Sequence, residues 1–213
     1  MKRYFITGTD TDCGKTYVTR KLLQQIPNSL AIKPVASGCD LIDGDLINAD
    51  AQCLQINSAV SLNTINPWRF AAPVSPHIAA REAGIQLSIS ELVDYCMHFT
   101  QAHCDTLFIE GAGGLLVPLN EEETWVDFLL ASKIPVLLVV GMKLGCINHA
   151  LLTQTALSSY GIECIGWIAN QIDPKMDRFE ENVTTLESKL RFPLIAKVLN
   201  NASLSVLDSL KFD

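Results

Sequence analysis

A short apolar run, Tyr4-Phe5-Ile6-Thr7, stops at Gly8, and Thr9-Asp10-Thr11-Asp12-Cys13-Gly14-Lys15-Thr16 follows it before apolar spacing predicts a helix to about Gln25. A polar loop closing on Gly-Lys-Thr between a strand and a helix is a Walker-type phosphate cradle. Its backbone N–H groups and the helix dipole face an anion. Gly14 lets the main chain approach the oxygens, Lys15 neutralises the β- and γ-phosphates, and the Thr16 hydroxyl is placed to ligate Mg²⁺. ATP is the natural ligand of such a loop. Five residues, rather than the usual four, separate Gly8 from Gly14, so Thr9 stands where a glycine is expected.

Beyond the loop the chain alternates. Strands are predicted at Ser29 to Lys33, Thr106 to Glu110, Pro135 to Val140, Glu163 to Ala169 and Leu194 to Val198. Helices are predicted from the Ser88-Ile89-Ser90-Glu91 capping pattern to about Gln101, from about Trp125, from Ile147 to Tyr160 before Gly161, and from about Asp177 to Leu190. Alternating strands and helices imply crossovers and a mostly parallel sheet with helices on both faces, a three-layer α/β/α fold of P-loop NTPase type. Val136-Leu137-Leu138-Val139-Val140, apolar without alternation, is what a sheet covered on both faces requires. Residues 36–83 carry Gly, Asp, Asn and Pro without strong periodicity and read as short helices and functional loops, so that 1–213 form a single domain. In such a sheet ligands bind beyond the carboxyl ends of the strands, in the loops after Thr7, Lys33, Glu110, Val140 and Ala169.

Composition narrows the partners. A formal charge of −7 argues against a general electrostatic grip on nucleic acid or anionic lipid, and no apolar run approaches a membrane span. Seven cysteines without a C-x-x-C pair suit a reducing compartment, and the first residues are too short an apolar stretch for a signal peptide, so a cytoplasmic location is expected. The four histidines show no spacing that suggests ligation or a triad.

Mg²⁺ takes carboxylates beside phosphates, which directs attention to acids at strand ends. Glu110 closes Thr106-Leu107-Phe108-Ile109 and precedes Gly111-Ala112-Gly113-Gly114, a Walker B-like arrangement. Asp50 is a second candidate that the residues alone do not separate from Asp43 or Asp45. Lys33, ending an apolar strand before Pro34-Val35-Ala36-Ser37-Gly38, points into the same crevice as Lys15, and two ammonium groups there suit phosphoryl transfer. Alternatively it is a strand-end lysine that snorkels to solvent. The segment Leu144-Gly145-Cys146-Ile147-Asn148 leads into a helix N-terminus suited to a carboxylate, or is an ordinary connection.

Gly-Thr-Asp-Thr-Asp-Cys-Gly-Lys-Thr at 8–16, Lys-Pro-Val-Ala-Ser-Gly at 33–38, Glu-Gly-Ala-Gly-Gly at 110–114 and Lys-Leu-Gly-Cys-Ile-Asn-His-Ala at 143–150 together resemble the dethiobiotin synthetase family. The four motifs lie in the family's order and span nearly the whole chain. The resemblance implies a homodimeric, Mg²⁺- and ATP-dependent enzyme of biotin biosynthesis that joins CO₂ to the vicinal diamine of diaminopelargonic acid and closes the cyclic urea of dethiobiotin. It makes Thr16, Asp50 and Glu110 the metal ligands and Lys15 and Lys33 the catalytic lysines. It places nucleotide on Asp12 to Tyr17 (Asp12, Cys13, Gly14, Lys15, Thr16, Tyr17), Asp50, Glu110, Gly111, Ala112, Gly113, Asn170 and Gln171. Substrate falls to Thr11, Ser37, Leu144, Gly145, Cys146, Ile147 and Asn148, with the helix start at Gly145 to Asn148 contributed across the dimer interface. Asp12 stands where the family commonly has Glu, Gln171 where it typically has Asp, and Lys197-Val198-Leu199-Asn200-Asn201 lacks a proline common there. A switch ATPase of ParA or MinD type would share the architecture, but its loop usually carries a lysine after the first glycine, where Thr9 and Asp10 stand, and the chain has no basic amphipathic tail. A non-catalytic nucleotide-binding partner or a related amide-forming ligase domain is the other alternative, against which Lys33-Pro34-Val35-Ala36-Ser37 argues.

Overall fold

The computed structural model describes residues 1–55 and 60–199 and the backbone of 205–206. Asn200 and Asn201 lie outside the described residues.

The chain opens with β1 (Lys2–Gly8), the phosphate loop and α1 (Lys15–Gln25), then β2 (Ser29–Ile32). Residues 33–83 form β3 (Val35–Ala36), the hairpin β4 (Asp40–Ile42) and β5 (Asp45–Ile47), helices α2 (Ala49–Leu54) and α3 (Leu62–Ile65), β6 (Trp68–Arg69) and α4 (Pro76–Glu82). Regular alternation returns with α5 (Ile89–His98), β7 (Thr106–Gly114), α6 (Trp125–Ser132), β8 (Val136–Gly141), α7 (Cys146–Ser159), β9 (Cys164–Asn170), α8 (Phe179–Lys189), β10 (Leu194–Val198) and the short β11 (Ser205–Val206). The main sheet runs β11-β10-β9-β8-β1-β7-β2, parallel throughout except where β11 pairs antiparallel with β10.

Side-chain caps begin several of the helices. Ser88 accepts from the Glu91 N–H to begin α5, and Thr124 with Asp127 forms a reciprocal capping box on α6. β8 is buried from end to end because its two faces serve different packing groups. Leu137 and Val139 join the main core with Phe128, whereas Leu138 and Val140 pack with Ala150 of α7 and Val183 of α8.

The structure lengthens β1 and β7 and trims other elements. Glu110 does not end β7; the glycine run continues as strand to Gly114, which pairs with Gly8. Small residues permit that pairing, since a Cβ on Gly111 would lie 2.6 Å from the Phe5 ring. β2 ends at Ile32, leaving Lys33 just beyond the sheet, and α8 begins at Phe179 rather than Asp177. Within 36–83 the pairings β3 with β6 and β4 with β5 were not signalled by periodicity, as strands of two or three residues are too short to display one.

Candidate active site

Lys33, just past β2, and Glu110, within β7, meet at the first turn of α1, which follows β1 and the phosphate loop. Gly14 occupies the left-handed region at φ 84°, and a Cβ there would sit 2.0 Å from Asn170 Nδ2. That amide donates to the Cys13 carbonyl at 2.8 Å, so Asn170, at the end of β9, fixes the loop from the far side. Thr9 fits where a glycine was expected because it is tied to β8. Its N–H donates to Val139 O at 3.0 Å and its hydroxyl accepts from the Gly141 N–H at 3.3 Å.

Glu110 is the hub. Its carboxylate is wholly buried, and Oε1 accepts from the Thr16 hydroxyl at 2.6 Å and from Lys33 Nζ at 2.8 Å. Oε2 lies 3.1 Å from the Thr19 hydroxyl, which is also 2.9 Å from Lys15 O. Lys33 Nζ bonds Asp50 Oδ2 at 2.7 Å, so one ammonium bridges two carboxylates. The Lys33 pKa reflects that competition: burial alone would lower it, but the charges of Glu110 and Asp50 prevail and hold it above the ordinary lysine value. For Asp50, burial would raise the carboxyl, and the charge and hydrogen bond of Lys33, with the Thr16 hydroxyl and the Lys15 charge, together hold it below the usual carboxylate range. Lys33 is therefore a buried, paired cation rather than a snorkelling lysine.

Mg²⁺ prefers oxygen donors and retains water. The Thr16 hydroxyl and the Glu110 and Asp50 carboxylates are oxygen donors, and an ammonium between the carboxylates already marks a place that requires positive charge. The donor set fits the ion. Asp43 and Asp45 lie on the exposed β4–β5 hairpin and bring no carboxylate to this cluster, which singles out Asp50.

Lys15 is buried, its Nζ 3.1 Å from Asp10 O and 3.9 Å from Cys13 Sγ. Asp12 is exposed in a left-handed conformation, and Tyr17 is exposed on α1 with the Lys21 ammonium 5.3 Å from its ring centre. Gly111 and Ala112 continue β7, and Trp125 Nε1 donates to Ala112 O at 2.9 Å; Gly113 adopts φ 67°. Gln171 follows β9 with its N–H on Val198 O at 2.8 Å. Thr11 is exposed and its N–H donates to Asp10 Oδ1 at 2.8 Å, while Ser37 follows β3 half-buried.

At the start of α7, Leu144 is 98% exposed and Gly145 takes φ 93°. Cys146 turns its thiol into the core and its N–H is held by Lys143 O at 2.9 Å, leaving Ile147 and Asn148 nearer the surface. A cavity of about 380 Å³ separates the phosphate loop from α7, lined among others by Thr11, Leu116 and Leu152.

Three residues escaped sequence reasoning. Thr19 lies one helical turn after Thr16, a spacing that could have revealed it. Lys143 forms a 3.2 Å ion pair with Asp10, which its position beside the substrate-tail segment hinted at. Asn66, fully buried, donates to Lys33 O at 2.7 Å from a loop with no motif.

A parallel sheet with this loop at the end of its first strand defines a P-loop nucleotide-binding α/β protein. A family model described as an AAA domain matches residues 2–206. The solved ParA family ATPase from Chlorobium tepidum superposes with a TM-score of 0.57 at 14% identity, covering 94% of this chain and 86% of that one, a likeness of fold. Curated relatives are closer in sequence. The ATP-dependent dethiobiotin synthetase BioD of Legionella pneumophila strain Paris is 56% identical over 92% of this chain and 93% of its own length. Its counterpart in Pseudoalteromonas translucida is 46% identical over 92% and 89% respectively. The chain belongs to the ATP-dependent dethiobiotin synthetase family, ligases that form carbon–nitrogen bonds.

Proposed function

We propose that the chain, acting as one domain, makes dethiobiotin from diaminopelargonic acid, CO₂ and Mg²⁺-ATP at the cluster around Glu110. The observation that carries this reading is the Lys33 ammonium joined to Glu110, and through it to the phosphate-loop Thr16, at 2.8 and 2.6 Å. A lysine held charged beside the phosphate cradle serves chemistry on the phosphate as well as its binding.

One amine of the diamine takes up CO₂ as a carbamate. A carbamate oxygen attacks the γ-phosphorus and ADP leaves; the second amine then attacks the carbamoyl carbon, closing the urea and expelling phosphate. Lys15 and Lys33 stabilise the negative charge that spreads over the transferring group and the carbonyl oxygen. Thr16, Asp50 and Glu110 would hold Mg²⁺, which when bound neutralises phosphate charge. Ser37 and Thr11 flank the diamine, Asn170 and Gln171 face the adenine, and Asp12, Cys13, Gly14, Tyr17 and Gly111 to Gly113 enclose the nucleotide. Leu144 to Asn148 receive the carboxylate tail.

Exposed apolar surface supports a homodimer. Leu144, Leu152 and Leu116 are 98%, 61% and 56% exposed around the cavity and the α7 start, an apolar cost that a second copy would remove. The seven cysteines are free, in keeping with a cytoplasmic location.

Phosphate release from ATP by the purified protein, with and without the diamine and bicarbonate, tests the reading alongside mass detection of product. Release that needs both co-substrates and yields the cyclic urea is the expected result. Release indifferent to the diamine, with no urea, would move the chain to a switch-like ATPase activity.

A further inference from the structure

Lys33 holds the two carboxylates that the proposed function assigns to magnesium. Nζ lies 2.7 Å from Asp50 Oδ2 and 2.8 Å from Glu110 Oε1, and that same Oε1 accepts the Thr16 hydroxyl at 2.6 Å. All three would-be metal ligands are therefore already engaged around one ammonium. We infer that Lys33 is a built-in counter-ion that occupies the metal's charge position in the nucleotide-free protein and yields it when Mg²⁺ arrives with ATP.

The physical case starts from Glu110. A wholly buried carboxylate cannot stand without a cation, because burial penalises the lone charge severely. Two cations cannot occupy the same oxygens at contact distance, so the dication and the ammonium alternate. The chain is built for a small movement. The Lys33 N–H donates to Ile65 O at 2.9 Å and Asn66 Nδ2 donates to Lys33 O at 2.7 Å, which pins the backbone and leaves the four-carbon stem to swing. Thr16 and Thr19 stay with Glu110, which keeps the carboxylate aimed through the exchange. Displaced from the carboxylates, the ammonium is free to meet the negative charge that ATP and the carbamate bring. The lysine is thus held out of action until the metal-loaded nucleotide is present.

This inference rests on Thr16, Asp50 and Glu110 being the metal ligands, and the test separates the two. Mn²⁺, as a probe for Mg²⁺, is titrated into nucleotide-free protein and followed by loss of the free-ion paramagnetic resonance signal. Without Lys33 the carboxylates lose their competitor, so Lys33→Met and Lys33→Gln should bind Mn²⁺ about tenfold more tightly or better than the wild type, and Mn²⁺ should raise their melting temperature more. Gln retains a donor for Glu110 and guards against loss of folding in the Met variant. Variants that fold only with Mn²⁺ present would be the same result in stronger form; variants that stay unfolded with Mn²⁺ overturn the exchange. Unchanged Mn²⁺ affinity in both Lys33 variants also overturns it, while weakened Mn²⁺-ATP binding in Glu110→Gln keeps the ligand assignment standing. If Glu110→Gln and Asp50→Asn leave Mn²⁺-ATP binding intact, the ligand assignment fails and the exchange fails with it.

Discussion

Glu110 and Asp50 hold the same ammonium at 2.8 and 2.7 Å, yet they belong to opposite kinds of structure. Glu110 sits mid-strand in β7, paired with Ile6 of β1, and its side chain is wholly buried. Asp50 opens a six-residue helix in the irregular 33–83 segment, capped by Asn48, and half of its side chain faces solvent. Equal bond lengths therefore conceal unequal energetics. In the interior a charge pair is weakly screened and its loss leaves the partner stranded; at the surface water replaces whatever is removed. The sheet supplies the fixed charge and the excursion supplies the adjustable one.

Glu110→Gln probes the fixed side and has the largest expected effect. It neutralises the acceptor shared by Thr16 and Lys33 and leaves Lys33 buried with Asp50 as its remaining carboxylate partner among the described residues. Breaking one side of a buried pair typically costs about 3–5 kcal/mol. Urea unfolding should register a loss in that range, with urea-product formation falling below detection; a loss under about 1 kcal/mol would show that burial does not set the two carboxylates apart. Gly14→Ala tests the same rigid region from the backbone. With φ at 84° and the new Cβ 2.0 Å from Asn170 Nδ2, the variant has to strain the loop or break the Asn170 bond to Cys13. About 1–3 kcal/mol of strain is expected, read as weaker ATP binding in calorimetry.

Asp50→Asn should cost about 1 kcal/mol or less, since a half-exposed pair is screened. Its pH signature is more telling. The Asp50 carboxyl is held below its unfolded value, so its stabilisation is complete above about pH 4 and disappears as pH falls through the folded-state value. Acid unfolding of the Asn variant should therefore converge with the wild type at the lowest pH, and parallel curves would remove Asp50 from the acid limb.

The contrast also explains what the residues reveal unaided. The phosphate loop, Glu110 and Lys33 are legible because each closes an apolar run of the sequence and carries a charge that a sheet interior would otherwise exclude. Asp50 is not separable from Asp43 and Asp45 by residue type, because what distinguishes it is tertiary: Asn48 starts α2 where its first turn meets Lys33. Asn66 is invisible for the same reason, acting on Lys33 through a carbonyl 33 residues away in sequence. The extension of β7 through Gly114 runs against the ordinary meaning of a glycine run, and at Gly111 the Phe5 ring fills the space a side chain would need.

Lys143→Met has the smallest effect on stability and sharpens the comparison at its solvent end. Lys143 and Asp10 pair at 3.2 Å with side chains 41% and 42% exposed, so the melting temperature should move by less than about 4 °C. Asp10 is nevertheless part of the phosphate loop: Oδ1 accepts the Thr11 N–H at 2.8 Å and its carbonyl accepts Lys15 Nζ at 3.1 Å. Burial would raise the Asp10 carboxyl, and the Lys143 hydrogen bond and charge, with the Thr11 N–H, hold it below the usual range. Removing Lys143 should shift the Asp10 titration upward by carbon-detected NMR and raise the KM for ATP by about twofold to fivefold, the effect of losing about 0.4–1 kcal/mol, with kcat little changed. Lys143→Arg should restore both. An upward NMR shift with no change in KM would mean that β8 and Asn170 hold the loop without help from its surface charge, and that electrostatic positioning in this site ends where burial ends.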